Sequence, residues 1–215
     1  MDFLSLLKYW HRTENLSDNT LVKQALYVQK TDNIQSEWIS TIKFLLGHIG
    51  MTEHFDNPQM VSNKIFSKLC LTKLKEKVVE QWHFKLTHSD KLRFYKLFKT
   101  NLRREPYLDL ICNFQLRKFI TKFRCSDHRL EIEIGRHQKI PVEERICKSC
   151  GAEVETEEHF LRWCPRYSEL RFKYFGLPRS FRDWLVIINC ENKTTAYNLG
   201  NFIKKALILR NKGTA

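Results

Sequence analysis

Cys147-Lys148-Ser149-Cys150-Gly151, followed after a short acidic run by His159-Phe160-Leu161-Arg162-Trp163-Cys164-Pro165, is the stretch that decides how this chain must fold. It reads C-x2-C-x8-H-x4-C. Two cysteines separated by two residues can aim both thiolates at one ion from a tight turn, and Lys148-Ser149 with Gly151 just after suits such a knuckle. The second pair is expected on a short helix beginning near Thr156. His159 and Cys164 do not quite share a helical face, but Pro165 drives Cys164 out of helical geometry, so its side chain can swing back. Cys147, Cys150, His159 and Cys164 therefore form a candidate closed structural site for Zn2+. With no coordination position left for water, the metal is assigned no catalysis. Glu153, Glu155, Glu157 and Glu158 make the intervening loop acidic. That disfavours phosphate and suits the N-terminus of the helix it opens.

Helical spacing dominates on either side of this segment. Phe3, Leu6, Leu7 and Trp10 form an apolar stripe near the start, as expected of a chain cut from something longer. Asp18 is a candidate cap for a second helix through Leu21, Val22, Ala25 and Leu26. Trp38 to Ile49 predicts a third, Gly50 to Gln59 a loop, and Val61 to Trp82 a long helix. Ser89-Asp90 is expected to cap a shorter one reaching Phe98. Pro106 opens the next, with Leu108, Ile111, Cys112, Leu116, Phe119, Ile120 and Phe123 in one arc and Arg117 and Arg124 on the far side. Leu130, Ile132 and Ile134 alternate with Glu131 and Glu133, which predicts one short strand ended by Gly135. Beyond the cysteines, helices are expected from Pro165 to Phe175, from a Ser180–Asp183 cap through Ile188, and from Thr194 or Thr195 onward. The expected fold class is mainly α: a helical domain with a small CCHC zinc knuckle and at most one or two short strands.

With 215 residues, the chain can bury a core without disulfides. Seven glycines and five prolines are too few for a sandwich of many short strands. Seven cysteines with no secretory signal predict a reducing, intracellular setting, in nucleus or cytoplasm, and not secretion. No apolar run approaches a membrane span. Thirty-seven basic against 24 acidic side chains leave a net charge of +13, so a polyanion is the expected partner. Membrane and small-molecule partners are not expected. The densest stretch runs from Lys91 to Arg129. The phosphate-binding candidates there are Lys91, Arg93, Lys96, Lys99, Arg103, Arg104, Arg117, Lys118, Lys122, Arg124 and Arg129. Arg136 extends the stretch, and Arg166, Arg171 and Lys173 form a second patch. No base-reading motif is visible, so RNA or DNA would be held by phosphate or shape.

Arg124-Cys125-Ser126-Asp127-His128-Arg129-Leu130-Glu131-Ile132-Glu133-Ile134-Gly135-Arg136-His137 resembles a segment near the C-terminus of LINE-type (non-LTR) retrotransposon reverse transcriptases. The likeness continues through Glu144-Arg145-Ile146-Cys147-Lys148-Ser149-Cys150 and Glu157-Glu158-His159-Phe160-Leu161-Arg162-Trp163-Cys164-Pro165. Upstream it takes in Lys8-Tyr9-Trp10-His11-Arg12, Phe94-Tyr95-Lys96 and Glu105-Pro106-Tyr107-Leu108; downstream, Phe202-Ile203 and Leu209-Arg210-Asn211. The resemblance implies a piece lying after the polymerase palm. It divides into a helical thumb- and linker-like region (1–140), the zinc knuckle (141–176) and C-terminal helices packing on it (177–215). It also implies help in holding template RNA or target DNA. None of the eight aspartates neighbours another, so the paired metal-binding aspartates of the polymerase are missing and its activity does not carry over. Catalytic residues are assigned to none. A protein-interaction scaffold and a degenerate element fragment without independent function remain the alternatives.

Overall fold

The structure is a computed structural model that describes residues 2–31, 36–178 and 180–212. Asp32, one of the eight aspartates, lies outside these. The chain divides into two compact units, Met1–His83 and Phe84–Ala215. The division does not follow the expected boundaries at 140 and 176. Cys147, Phe160, Leu161, Cys164 and Tyr167 belong to the same hydrophobic core as Ile120, Phe123, Phe202 and Ile203. The knuckle is thus part of the second unit's interior and has no core of its own.

The first unit holds α1 (Phe3–Glu14), α2 (Leu21–Thr31), α3 (Glu37–His48), the short α4 (Glu53–Asp56) and most of α5 (Asn63–Thr87). Asp2 caps α1 by accepting the Ser5 amide at 2.8 Å. α2 starts one turn after Ser17, and Thr20, not Asp18, stands at its cap, its hydroxyl accepting the Lys23 amide at 3.4 Å. The expected loop at 50–59 contains α4 and a 3-10 turn at Pro58–Met60. Leu7, Trp10, Ile42, Leu46 and Phe66 form a fully buried centre. Trp10 stacks on Phe55 (centroids 5.7 Å apart, planes 2° apart), and buried His11 stacks on Phe66 at 3.9 Å.

The second unit holds α6 (Tyr107–Leu110), α7 (Phe114–Arg124), α8 (Glu131–His137), α9 (Ser168–Phe175), α10 (Phe181–Asn189) and α11 (Lys193–Lys212). Its backbone is α7 against α11. Gly200 permits their approach: a Cβ there would lie 3.2 Å from Cβ of Leu116. Ser180 and Asp183 form the expected capping box of α10. α11 begins slightly earlier than expected, because Asn192 caps it by accepting the Thr195 amide at 2.9 Å.

Three expectations fail here. The helix from Pro106 is two helices: Ile111 is extended, and Asn113 restarts the chain by accepting the Leu116 amide at 3.2 Å. The segment capped at Ser89 is a set of turns ending in a short 3-10 helix at Tyr95–Leu97. The expected strand at 130–134 is α8. Its alternation misled because Glu133, read as outward, is 2% exposed and turns inward to Arg93 and Arg136. Gly135 lies within that helix because the Arg145 side chain crosses it, 2.5 Å from where a Cβ would stand. Among the described residues the β-structure is one antiparallel bridge, Ile146 with Val154.

Candidate metal centre and the cations around it

The bridge at Ile146–Val154 closes the knuckle. Within it the Cys147 amide donates to the Glu153 carbonyl at 2.8 Å and the Gly151 amide to the Cys147 carbonyl at 2.7 Å. Gly151 sits at φ +69°, which a side chain would strain. Thr156 accepts the His159 amide at 3.0 Å, opening the turn that carries the second pair. That turn is π-helical, His159–Trp163, with the Cys164 amide bonded to the His159 carbonyl at 2.8 Å. This solves the spacing problem. A five-residue separation is off-face on an α-helix but is one turn of a π-helix, a geometry frequent at functional sites. Cys164 itself leaves the turn at φ −56°, ψ 119°, as the residue before a proline should.

The four donor atoms of Cys147, Cys150, His159 and Cys164 all lie within 4.8 Å of one another. Sγ of Cys147 is 3.9 Å from Sγ of Cys164, and Sγ of Cys150 is 3.3 Å from Nε2 of His159. A tetrahedral ion with bonds of about 2.3 Å to sulfur and about 2.0 Å to nitrogen holds its ligand atoms at such separations. The residues therefore fit a metal ion. Burial pushes the Cys147 and Cys164 thiols up from their ordinary range, so a dication would have to displace their protons. Nδ1 of His159 lies 2.9 Å from a Glu153 carboxylate oxygen. A proton held there leaves Nε2 free to ligate. Among the described residues these four are the one cluster of this kind, and Cys125, His128 and His137 do not form a second.

The supporting shell was not visible as such in the sequence. Glu155, fully buried, accepts both arms of the Arg210 guanidinium at 2.7 Å and the Glu131 amide at 2.7 Å, with Sγ of Cys147 3.7 Å away. Glu157, 2% exposed, accepts from Arg93 (2.7 Å), Ser126 (2.6 Å) and Nε2 of His128 (3.0 Å). Burial opposes the Glu157 carboxylate, yet His128 and Arg93 hold its pKa below the usual range. Arg145 donates to the carbonyls of Ile140 and Ile132, tying the knuckle to α8. Two acids of the supposed acidic loop are thus internal, and only Glu153 and Glu158 are left to give it surface charge.

The fifteen candidate cations separate into two sets. Lys91, Lys96, Arg103, Arg104, Lys118, Lys122, Arg129, Arg166 and Lys173 are exposed. Of these, Arg104 pairs with exposed Asp109 at 2.8 Å and Lys122 with exposed Asp127 at 3.4 Å, pairs that hold side chains weakly. The other six serve the fold. Arg124, expected on an outer face, is 1% exposed; it bonds Glu105 and the Ile188 carbonyl and lies over the rings of Phe98 (4.5 Å) and Tyr107 (5.3 Å). The 94–98 turns and α6 cover that side of α7, which the helical arc alone could not foretell. Arg93 and Arg136 hold Glu133, Lys99 holds Glu105 at 2.7 Å, Arg117 reaches the Leu108 carbonyl, and Arg171 the Cys164 carbonyl.

Compared with known proteins, the chain matches no family model, no curated protein and no solved structure. Among the described residues no helix is long and apolar enough to cross a membrane.

Proposed function

We propose that this chain is a retrotransposon-derived, non-catalytic module that binds nucleic acid and carries a structural zinc ion. The observation that carries the reading is where the charge lies. Met1–His83 has 10 basic and 9 acidic side chains, net +1, whereas Phe84–Ala215 has 27 and 15, net +12. In that second unit Glu105, Glu131, Glu133, Glu155 and Glu157 are wholly or largely buried. Their partners Arg93, Lys99, Arg124, Arg136 and Arg210 are drawn in with them, so the unit keeps its excess of positive charge on exposed side chains such as Lys91, Lys96, Lys118 and Lys122. Zinc suits the three thiols and one imidazole; filled by four protein ligands, it would brace the fold and leave no site for an activated water. The origin rests on the segment that resembles LINE-type reverse transcriptases; within it Ser126, His128, Glu133 and Arg136 have a structural role, joined in one largely buried network with Arg93 and Glu157.

The test is binding of RNA and single-stranded DNA across a salt series. Affinity should fall with a log–log slope of about −0.7 per phosphate contact on single strands. Replacing the exposed Lys91, Lys96, Lys118 and Lys122 by Gln should flatten that slope, whereas a salt-independent affinity would refute the reading. A scaffold role has one observation in its favour: Ile65, Leu71, Val78, Val79 and Phe84 leave α5 with exposed apolar side chains.

A further inference from the structure

The second unit carries an open aromatic face that the metal centre does not use. Trp163, Phe172, Leu177 and Phe181 are 57%, 65%, 77% and 54% exposed, although each is a side chain that normally seeks the interior. They converge on one cavity of about 400 Å3, which Arg162 and Arg171 also line. The Arg162 guanidinium carbon lies 4.5 Å from the ring centre of Trp163 and 5.5 Å from that of Phe181, so a delocalised cation is set among the rings. Arg171 donates from Nη2 to the Cys164 carbonyl at 2.5 Å, while its Nη1 is buried without a partner among the described residues. One wall of the cavity is thereby fastened to the metal cluster.

We infer that this face is a stacking platform for the unpaired bases of a single-stranded nucleic acid. Exposed rings beside the exposed Arg166 and Lys173 offer what such strands need: flat surfaces for bases and positive charge for the backbone. Charge favours this occupant. Residues 158–184 carry six basic and three acidic side chains. Glu158 and Arg162 form one neutral pair, and Asp183 accepts the Ser180 amide in the cap of α10, so the excess of three positive charges rests on the remaining five basic and two acidic side chains. Arg166 and Lys173 are exposed within three residues of lining positions and can follow the phosphates. A duplex, whose bases already stack on each other, has no ring faces to offer the platform. This inference rests on the proposed nucleic-acid function and deepens it by naming a base-contacting surface distinct from the Lys91–Arg129 stretch.

The experiment uses the full, metal-loaded chain and two probes of equal charge: an oligothymidylate of about 16 nucleotides and an abasic oligomer of the same length. Affinity is measured by fluorescence anisotropy, and particle mass by light scattering. The wild type should bind the thymidylate about tenfold tighter than the abasic strand, since stacking contributes about 1–3 kcal/mol per base. Trp163→Ala with Phe172→Ala should remove that tenfold advantage without changing the salt slope or the abasic affinity. Both side chains are largely exposed, so folding should survive, and Trp163→Phe, which keeps a ring, should retain most of the advantage. Equal, salt-dependent affinity for the two strands would overturn the platform and leave the phosphate reading standing. No binding to either strand would overturn both. A dimer that the alanine variant converts to a monomer, with thymidylate affinity unchanged, would assign the face to a second copy of the chain and overturn the inference.

Discussion

The two units solve the same problem, a stable helical core, by different chemistry. Met1–His83 is nearly neutral and is centred on stacked rings, Trp10 on Phe55 and His11 on Phe66, with a single buried acid among the described residues, Glu14, held by Lys23 and Lys30. Phe84–Ala215 threads buried charge through its interior, with Arg210 against Glu155, Arg124 against Glu105, and Arg93 between Glu133 and Glu157. An apolar centre loses stability by degrees when trimmed. A buried ionic centre is worth little net when complete, but breaking it is costly, because the remaining charge has no water to turn to. The second unit should therefore depend on completeness, of its ion pairs and of its metal site alike.

The largest effect expected is from the metal. Because Cys147 and Cys164 lie in the shared core, chelation should open Phe84–Ala215 and leave Met1–His83 protected in hydrogen exchange. Cys150→Ser should abolish stoichiometric metal, and Cys70→Ser, in the other unit, should not. Equal metal content in the two variants would refute the ligand assignment.

Next in size comes a matched pair of core truncations. Arg210→Met strands buried Glu155 and should cost the second unit about 3–5 kcal/mol. Trp10→Ala should cost the first unit about 3–5 kcal/mol through a cavity. Adding Glu155→Met should restore much of the Arg210→Met loss, whereas no single second change should restore Trp10→Ala. If the double variant is as unstable as the single, the charged core is not what distinguishes the units.

Gly135→Ala is a finer probe. Its Cβ would meet the Arg145 side chain, and displacing it should cost about 1–3 kcal/mol, read as a lower denaturation midpoint of the second unit alone.

Smallest is a pH effect that separates the units by sign and window. Burial lowers the pKa of His11 from 6.5, and its Nε2 is buried without a partner among the described residues. The unfolded chain thus takes up that proton more readily. Stability from this residue is complete above 6.5 and declines as pH falls through the lower folded value, by at most about 1.4 kcal/mol per pH unit. Glu105, Glu133 and Glu157, held below 4.5, should matter to the second unit only in more acid solution. Mild acidification between these windows should soften Met1–His83, and His11→Gln should flatten that response in thermal melts.

How much of this was legible follows the range of each interaction. Helices α1, α3, α5, α10 and the ligand quartet could be read because apolar period, caps and cysteine spacing are local patterns. α8 could not: the partners that draw Glu133 inward are three and forty residues away, Arg136 and Arg93. Asn113 left a local sign, a capping side chain inside an apolar arc, that would have divided α6 from α7.

By itself the amino-acid order determined a mostly helical chain, a Cys3His cluster and a strong excess of cations, since each depends on composition or on neighbours within a few residues. The tertiary structure decided which charges are available. Nothing near Arg124 in the chain marks it as buried; that depends on Glu105, Phe98 and Ile188, brought together only when α6, α10 and the 94–98 turns close over α7. It likewise decided that Trp163, beside a ligand, faces solvent while Phe160, three residues before it, is fully buried, because a π-turn rotates successive side chains differently from the α-helix that sequence periodicity assumes.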